Sequence, residues 1–145
     1  LVALHKGIYA ITNDYDKFEL AGKLLSPSYI SLETVLYKAG IIFQYSTAVT
    51  SIGNITNTIK CEGIDYIYHK VKDEILFNKA GLEILDTYYT AATERAFLDT
   101  IYLARNYYFD NLASINWEKC FSLVEIYKNN ALRKRLKEYY KNYVR

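Results

Sequence analysis

A helix-forming stretch at residues 91–104 constrains the fold most, because it sets charged side chains among core-forming ones. Its small and apolar side chains recur at the spacing of one helical face: Ala96, Phe97, Thr100, Ile101 and Ala104. Thr90 or Thr93 stands where a side chain can cap the first free amides, and Glu94 lies in the first turn, which favours an acid. The pattern predicts a capped helix packed against a core.

Two charged residues within this stretch require partners. Arg95 and Asp99 are four residues apart and can form an ion pair on a helix. Asp99 falls between Phe97 and Ile101, so it is expected to be partly buried and to need hydrogen-bond donors, from Arg95 or from a neighbouring loop amide. Because no second catalytic group lies nearby, we predict that Arg95 and Asp99 hold the fold and do no chemistry.

A second block lies upstream, at residues 27–40, and reads Pro-Ser-Tyr-Ile-Ser-Leu-Glu-Thr-Val-Leu-Tyr followed by Lys-Ala-Gly. Ser28 or Ser31 can cap a helix there, and Gly40 stands where that helix is expected to end. The apolar face of this predicted helix comprises Tyr29, Leu32, Val35, Leu36 and Ala39.

Together the two blocks resemble the AbiEi-type antitoxins, the transcriptional-regulator halves of abortive-infection (type IV) toxin–antitoxin pairs. Residues 91–102 are similar to that family's signature A-x-x-E-R-A-x-L-D-x-x-Y, and residues 28–36 are similar to its S-Y-I-S-L/F-E-S/T-A-L motif. The chain departs from the family at Ala92-Thr93, where Ser/Thr-Pro is usual. The motif residues that we predict to be structural are Tyr29, Ser31, Glu33, Glu94, Arg95 and Asp99.

The resemblance implies a bacterial, cytoplasmic antitoxin that acts in phage defence and has no catalytic residues. Its expected partners are a cognate nucleotidyltransferase-like toxin, countered directly or indirectly, and promoter DNA, which the full-length family members read through an N-terminal winged helix as transcriptional autoregulators. Residues 1–13, with a Lys6-Gly7 turn, would be a remnant of that winged helix's wing or simply a first hairpin. Residues 14–145 would form the antitoxin-type domain. Because the chain starts at Leu1 and has no Met, we expect residues to precede it.

The rest of the chain predicts an α+β fold in which a small, mostly antiparallel sheet is flanked by N-terminal and C-terminal helices. Helices are expected at 14–25, 117–127 and 131–143. Between them, β-branched and aromatic residues predict a meander of strands at 49–52, 57–61 and 64–71, with further edges at 75–77 and 82–89. In the third strand, Ile64, Tyr66 and Tyr68 should share one face.

From its composition and residue spacing, we predict that the chain is not an enzyme and binds neither a metal nor a cofactor. No Asp or Glu is followed two residues later by Lys, as a metal-dependent nuclease strand requires, and Asp14-Tyr15-Asp16 lacks the Gly-Ser turn of a nucleotidyltransferase. His5, His69, Cys61 and Cys120 form no chelating pair, and His69 reads as a sheet histidine. No apolar run is long enough to cross a bilayer, no signal peptide is visible, and two cysteines suggest a reducing compartment, so we expect a cytoplasmic protein with no membrane partner.

The positive charge is concentrated at the C-terminus. Residues 128–145 carry seven bases and one acid, a net charge of +6, whereas the preceding residues carry a net −4. Four bases form a helical stripe: Lys134, Lys137, Lys141 and Arg145. A separate apolar stripe should dock this helix: Leu132, Leu136, Tyr139 and Tyr143. This basic stripe either binds an anionic partner or, equally, is a solvated face without a partner. An alternative function is therefore a nucleic-acid-binding module that uses the basic C-terminal helix.

The sixteen tyrosines also allow two readings. Alternating with lysines, they can form a nucleic-acid surface, because rings stack on bases while cations bind phosphates. An AT-rich genome also supplies tyrosine, which fills small cores with its hydroxyl at the rim. We favour the core role except in the last helix.

Overall fold

The computed structural model describes residues 2–5, 8–10, 15–85 and 87–145, and within these residues the architecture is α+β, as predicted. The strands are β1 (Val2–His5), β2 (Ile8–Ala10), β3 (Ser28–Ile30), β4 (Val49–Gly53), β5 (Asn57–Cys61), β6 (Ile64–Lys70), β7 (Leu82–Leu85) and β8 (Tyr88–Ala91). The helices are α1 (Lys17–Leu24), α2 (Glu33–Lys38), α3 (Asp73–Leu76), α4 (Thr93–Leu103), α5 (Trp117–Leu123) and α6 (Asn130–Tyr143), with a 3-10 helix (Val124–Tyr127) after α5. No helix among the described residues is both long and apolar enough to span a membrane.

Six of the described strands form a mixed, mostly antiparallel sheet in the order β5-β6-β4-β3-β8-β7. The antiparallel pairs are β5 with β6, β4 with β3, and β8 with β7, whereas β6 with β4 and β3 with β8 are parallel. The predicted strands 49–52, 57–61 and 64–71 are confirmed, but their predicted meander order is wrong, since β6 lies between β4 and β5. The burial of the strands explains this order. β6 buries Tyr66 and Tyr68, whereas β5 leaves Asn57 and Thr58 exposed, which suits an edge.

The sheet separates two hydrophobic cores, because successive side chains of a strand point to opposite faces. On one face, α1 covers a smaller core that includes Ile30 and the shared face of Tyr66 and Tyr68, as predicted. On the other face, α2 to α6 enclose a larger core that includes Tyr29 and Phe97. β3 therefore contributes adjacent residues to different cores.

The helix predicted across residues 28–39 is wrong in its first half. Ser28–Ile30 forms β3, paired with β4, and α2 starts only after Leu32, whose φ is 63°. Neither serine caps the helix. The Ser28 Oγ donates to the Leu25 carbonyl at 2.7 Å, and the Ser31 Oγ donates to Asp99. The strand prevails because pairing with β4 inserts Tyr29 into the larger core.

Other local expectations need smaller corrections. The α4 cap is Ala92, without a side-chain hydrogen bond, so neither Thr90 nor Thr93 caps the helix: Thr90 pairs within the sheet and Thr93 is already helical. Residues 75–77 belong to α3 and its end, not to a strand. The first helix begins at Lys17 behind an Asp16 cap, and Asp14 lies outside the described residues.

The N-terminal strands β1 and β2 pair antiparallel, as the predicted first hairpin requires. They form a two-stranded sheet separate from the six-stranded one. The Lys6-Gly7 turn between them, and the expected boundary at residue 13, lie outside the described residues.

Candidate functional site

The carboxylate of Asp99 is the centre of a buried hydrogen-bond network. Asp99 lies in the middle of α4 and has no solvent exposure. Its Oδ2 accepts hydrogen bonds from the Tyr29 hydroxyl at 2.9 Å and from the Ser31 hydroxyl at 2.7 Å, and its Oδ1 accepts one from the Tyr127 hydroxyl at 2.6 Å. Sequence reasoning expected a partly buried Asp99 with guanidinium or loop-amide donors, but the donors are three hydroxyls from β3, the residue after it, and the 3-10 helix.

Burial governs the ionisation of this network. Removal from water raises the pKa of Asp99, although the nearby Arg95 charge and the three hydroxyl donors act in the opposite direction. Burial also raises the pKa of Tyr29 and of Tyr127 well above the usual tyrosine value, and the Asp99 charge adds to both shifts. Both tyrosines are therefore protonated donors at neutral pH.

Arg95 is the largest fully buried side chain of the described residues, and it binds backbone rather than an acid. Its Nη1 donates to the carbonyl of Ala80 at 2.6 Å and to that of Asn78, and its Nη2 donates to the carbonyl of Ile75 at 2.7 Å. These bonds fix the segment that follows α3 against α4. The buried Nε has no hydrogen-bond partner.

The predicted ion pair between Arg95 and Asp99 is wrong. The hydroxyl of Tyr29 lies between them, accepting from Arg95 Nη2 at 3.2 Å and donating to Asp99 Oδ2 at 2.9 Å. The Arg95 guanidinium also packs 4.7 Å from the centroid of the Tyr29 ring. The Tyr29 hydroxyl therefore bridges the two charged groups, and Tyr29 belongs to the other motif block.

The two motif blocks thus meet in one structural unit. Tyr29 and Ser31 come from the first block, and Arg95 and Asp99 come from the second, 66 to 70 residues later along the chain. None of these four side chains lines the cleft at the ends of β3 and β8, and each is at most 2% exposed. Their burial and their hydrogen bonds to one another suit a structural role.

The remaining motif acids join neighbouring elements. Glu94 is 8% exposed, accepts a hydrogen bond from the backbone N–H of Asn116 at 3.1 Å, and pairs with the Lys119 ammonium at 3.5 Å. It therefore joins the start of α4 to the start of α5. Glu33 accepts from the Tyr107 hydroxyl at 3.2 Å. Burial, followed by the Glu33 charge, raises the pKa of Tyr107 to about 12.

A cleft of about 870 Å³ lies where the parallel strands β3 and β8 end and the helices α2 and α4 begin. Open α/β sheets often bind ligands at such a position. Its charged lining mixes acids and bases: Lys17, Glu33, Lys38, Glu83, Glu94 and Lys119. Sequence reasoning missed the cleft, because no local pattern indicates that residues so far apart converge. Among the described residues, no three or more His, Cys, Asp or Glu side chains form a group that could hold a metal ion.

Three bases of the predicted stripe, Lys134, Lys137 and Lys141, are exposed on α6, whereas Arg145, also exposed, lies beyond the end of the helix at Tyr143. Two other bases of this segment are used internally: Arg133 pairs with Glu125 at 2.6 Å, and Arg135 donates to the Ile101 carbonyl near the end of α4 at 2.8 Å. The apolar stripe docks the helix as predicted at three of its four positions. Leu132 and Leu136 are fully buried and Tyr139 is half-buried, but Tyr143 is 42% exposed.

One further residue of the network was missed by sequence reasoning. Tyr127 appeared only as the end of a predicted closing helix, yet its hydroxyl makes the shortest hydrogen bond to Asp99. Its only sequence signal is an apolar position before the charged C-terminal segment, which does not identify a partner 28 residues upstream.

No protein-family model, curated protein or solved structure is detectably similar to this chain.

Proposed function

We propose that this chain is the antitoxin part of a bacterial abortive-infection toxin–antitoxin system and counters a nucleotidyltransferase-like toxin. One observation carries the proposal: the residues of both antitoxin-like blocks converge on the buried Asp99 network. A chance similarity at two short blocks would not require the matching side chains to contact each other. Here Tyr29 and Ser31 donate directly to Asp99, so the pattern that resembles the family corresponds to one physical unit.

The proposal assigns the antitoxin function to the surface of this domain and gives its motif residues a supporting role. Arg95 and Asp99 are inaccessible, whereas Glu33 and Glu94 reach the cleft. By the same resemblance, the protein acts in the cytoplasm, and transcriptional autoregulation belongs to a winged helix preceding this domain.

The test is co-expression in bacteria with the nucleotidyltransferase-like toxin that the resemblance implies is encoded beside this chain's gene, each gene under its own promoter. We expect this chain to restore colony formation that the toxin alone abolishes. A chain inactivated by a stop codon is the control for promoter effects. If the chain is folded by circular dichroism, is present at the level of the toxin, and does not restore growth, the proposal is wrong for this region.

A second candidate function, nucleic-acid binding through α6, is favoured by the exposed basic stripe. Replacing Lys134, Lys137 and Lys141 with Gln should weaken binding to DNA and make that binding less dependent on salt, because fewer counterions are released. The measurement is a fluorescence-anisotropy titration at two salt concentrations. A loss of toxin neutralisation without a change in DNA affinity would assign the stripe to the toxin instead.

A further inference from the structure

An aromatic cluster lies on the surface where α5 and α6 pack together. The Trp117 ring lies 5.3 Å from the Tyr140 ring and 5.4 Å from the Tyr143 ring, and Phe121 lies 5.5 Å from Tyr140, measured between centroids. The cluster is not sealed from solvent, since Tyr140 is 38% and Tyr143 is 42% exposed. Buried packing alone does not account for two partly open tyrosine rings at one site.

Cations from the basic stripe lie next to these rings. On a helix, residues three and four apart are neighbours, so Lys137 is adjacent to both Tyr140 and Lys141. Lys137 and Lys141 are exposed. The α5–α6 surface, meaning Trp117, Phe121, Tyr140, Tyr143, Lys137 and Lys141, therefore presents two partly exposed tyrosines beside exposed lysines.

The acids near this surface offset only part of its positive charge. Glu125 is paired with Arg133 at 2.6 Å, and Glu138, three residues before Lys141 and therefore its neighbour on the helix, lies on a different side of α6 from Tyr140. Glu118, exposed on the first turn of α5, is the acid nearest to Trp117 in sequence. The C-terminal 18 residues, which supply the cations, keep a net charge of +6.

We propose that the α5–α6 surface binds single-stranded nucleic acid, with bases stacked on the partly exposed Tyr140 and Tyr143 and phosphates at Lys137 and Lys141. Bases in a duplex are stacked on each other, whereas those of a single strand are free to stack on aromatic rings. Cations alone would bind any polyanion, so the aromatic rings are the feature that favours a single-stranded nucleic acid over other polyanions. The inference specifies the ligand of the nucleic-acid-binding candidate and does not depend on toxin neutralisation.

The experiment uses fluorescently labelled twelve-nucleotide strands of oligothymidylate and of an abasic chain with the same number of phosphates. We expect the thymidylate strand to bind about tenfold more tightly than the abasic strand, since each stacked base strengthens binding. Trp117 is the only tryptophan of the chain, so its fluorescence reports whether the strand occupies this surface. Its emission should change with thymidylate and not with the abasic strand.

Matched variants distinguish the effect of the aromatic ring from that of the tyrosine hydroxyl. Tyr140→Leu and Tyr143→Leu remove the ring and should abolish the preference for thymidylate, whereas Tyr140→Phe and Tyr143→Phe keep the ring and should retain it. Tyr45→Leu is the control, because Tyr45 is 60% exposed in a different aromatic pair. Circular dichroism establishes that each variant is folded.

Three results would overturn the inference in different ways. Equal affinity for the two strands would mean purely electrostatic binding, which leaves the nucleic-acid-binding candidate intact but refutes stacking. Absence of binding to either strand would refute both. Loss of toxin neutralisation in the Leu variants, without any oligonucleotide binding by the parent chain, would assign the surface to a protein partner.

Discussion

Replacing Asp99 with Ala should destabilise the protein severely, because three buried hydroxyls lose their acceptor at once. Tyr29, Ser31 and Tyr127 donate to this carboxylate at 2.6 to 2.9 Å. A buried donor left without a partner costs about 1–3 kcal/mol. The Tyr29 hydroxyl keeps its contact with Arg95, but that guanidinium loses the nearby negative charge.

The expected loss in the free energy of unfolding is about 3–5 kcal/mol, at the low end of the sum over three hydroxyls. The sum is reduced because the variant no longer bears the cost of burying a carboxylate, whose pKa burial raises. Asp99→Asn should lose less, about 1–2 kcal/mol, because its amide oxygen still accepts from a hydroxyl.

The assay is urea unfolding followed by far-ultraviolet circular dichroism, with linear extrapolation to water. Asp65→Ala is the matched control. Asp65 pairs with Lys60 at 3.8 Å and its side chain is 46% exposed, so its loss should cost less than about 1 kcal/mol. If Asp99→Ala unfolds within about 0.5 kcal/mol of the parent, the network does not hold the fold and the reasoning is refuted.

Because burial raises the folded-state pKa of Asp99, the contribution of this residue to stability is greatest below its unfolded-state pKa and is lost as the pH rises through the folded-state pKa. The difference in the free energy of unfolding between the parent and Asp99→Asn should therefore become smaller from about pH 4 to about pH 7. A difference that grows over this range would contradict the raised pKa. Leu136→Ala should lower the free energy of unfolding, measured in urea, by about 2–5 kcal/mol, because Leu136 is fully buried. Leu103→Ala, at a position that is 39% exposed, should lower it by less than about 1 kcal/mol. Gly81→Ala should lower the melting temperature and cost about 1–3 kcal/mol, because Gly81 has φ +74° and an added Cβ would lie 3.0 Å from Leu123 Cδ1; an unchanged melting temperature would show that the turn adapts freely.

The parts of the fold that sequence predicts well are those with a local physical cause. The α4 helix follows from apolar spacing, and Ala96, Phe97 and Ile101 are indeed fully buried. Strand β6 follows from alternation, which places Tyr66 and Tyr68 on one face. Strand order does not follow in this way, because alternation along β6 does not identify β4 as its parallel neighbour.

The misplaced Ser31 cap has a tertiary cause. Ser31 has the side chain of an N-cap, but its hydroxyl is used by Asp99, 68 residues away. The buried carboxylate needs donors more than the exposed start of a short helix does, since water cannot replace the missing bond in the core. Sequence alone indicated that Asp99 needs donors, and only the packing of β3 and the 3-10 helix onto α4 identifies them.

In the proposed function, the motif residues support the fold while the surface of the domain acts on the toxin. Tyr29→Phe separates these two roles, because it removes only the hydroxyl that joins Arg95 to Asp99 and keeps the buried ring. The measurement combines the free energy of unfolding with colony counts in the presence of the toxin, below the melting temperature of the variant. We predict a loss of about 1–3 kcal/mol and full neutralisation wherever the variant is folded. A variant as stable as the parent that fails to neutralise the toxin would contradict the claim and make Tyr29 a functional residue.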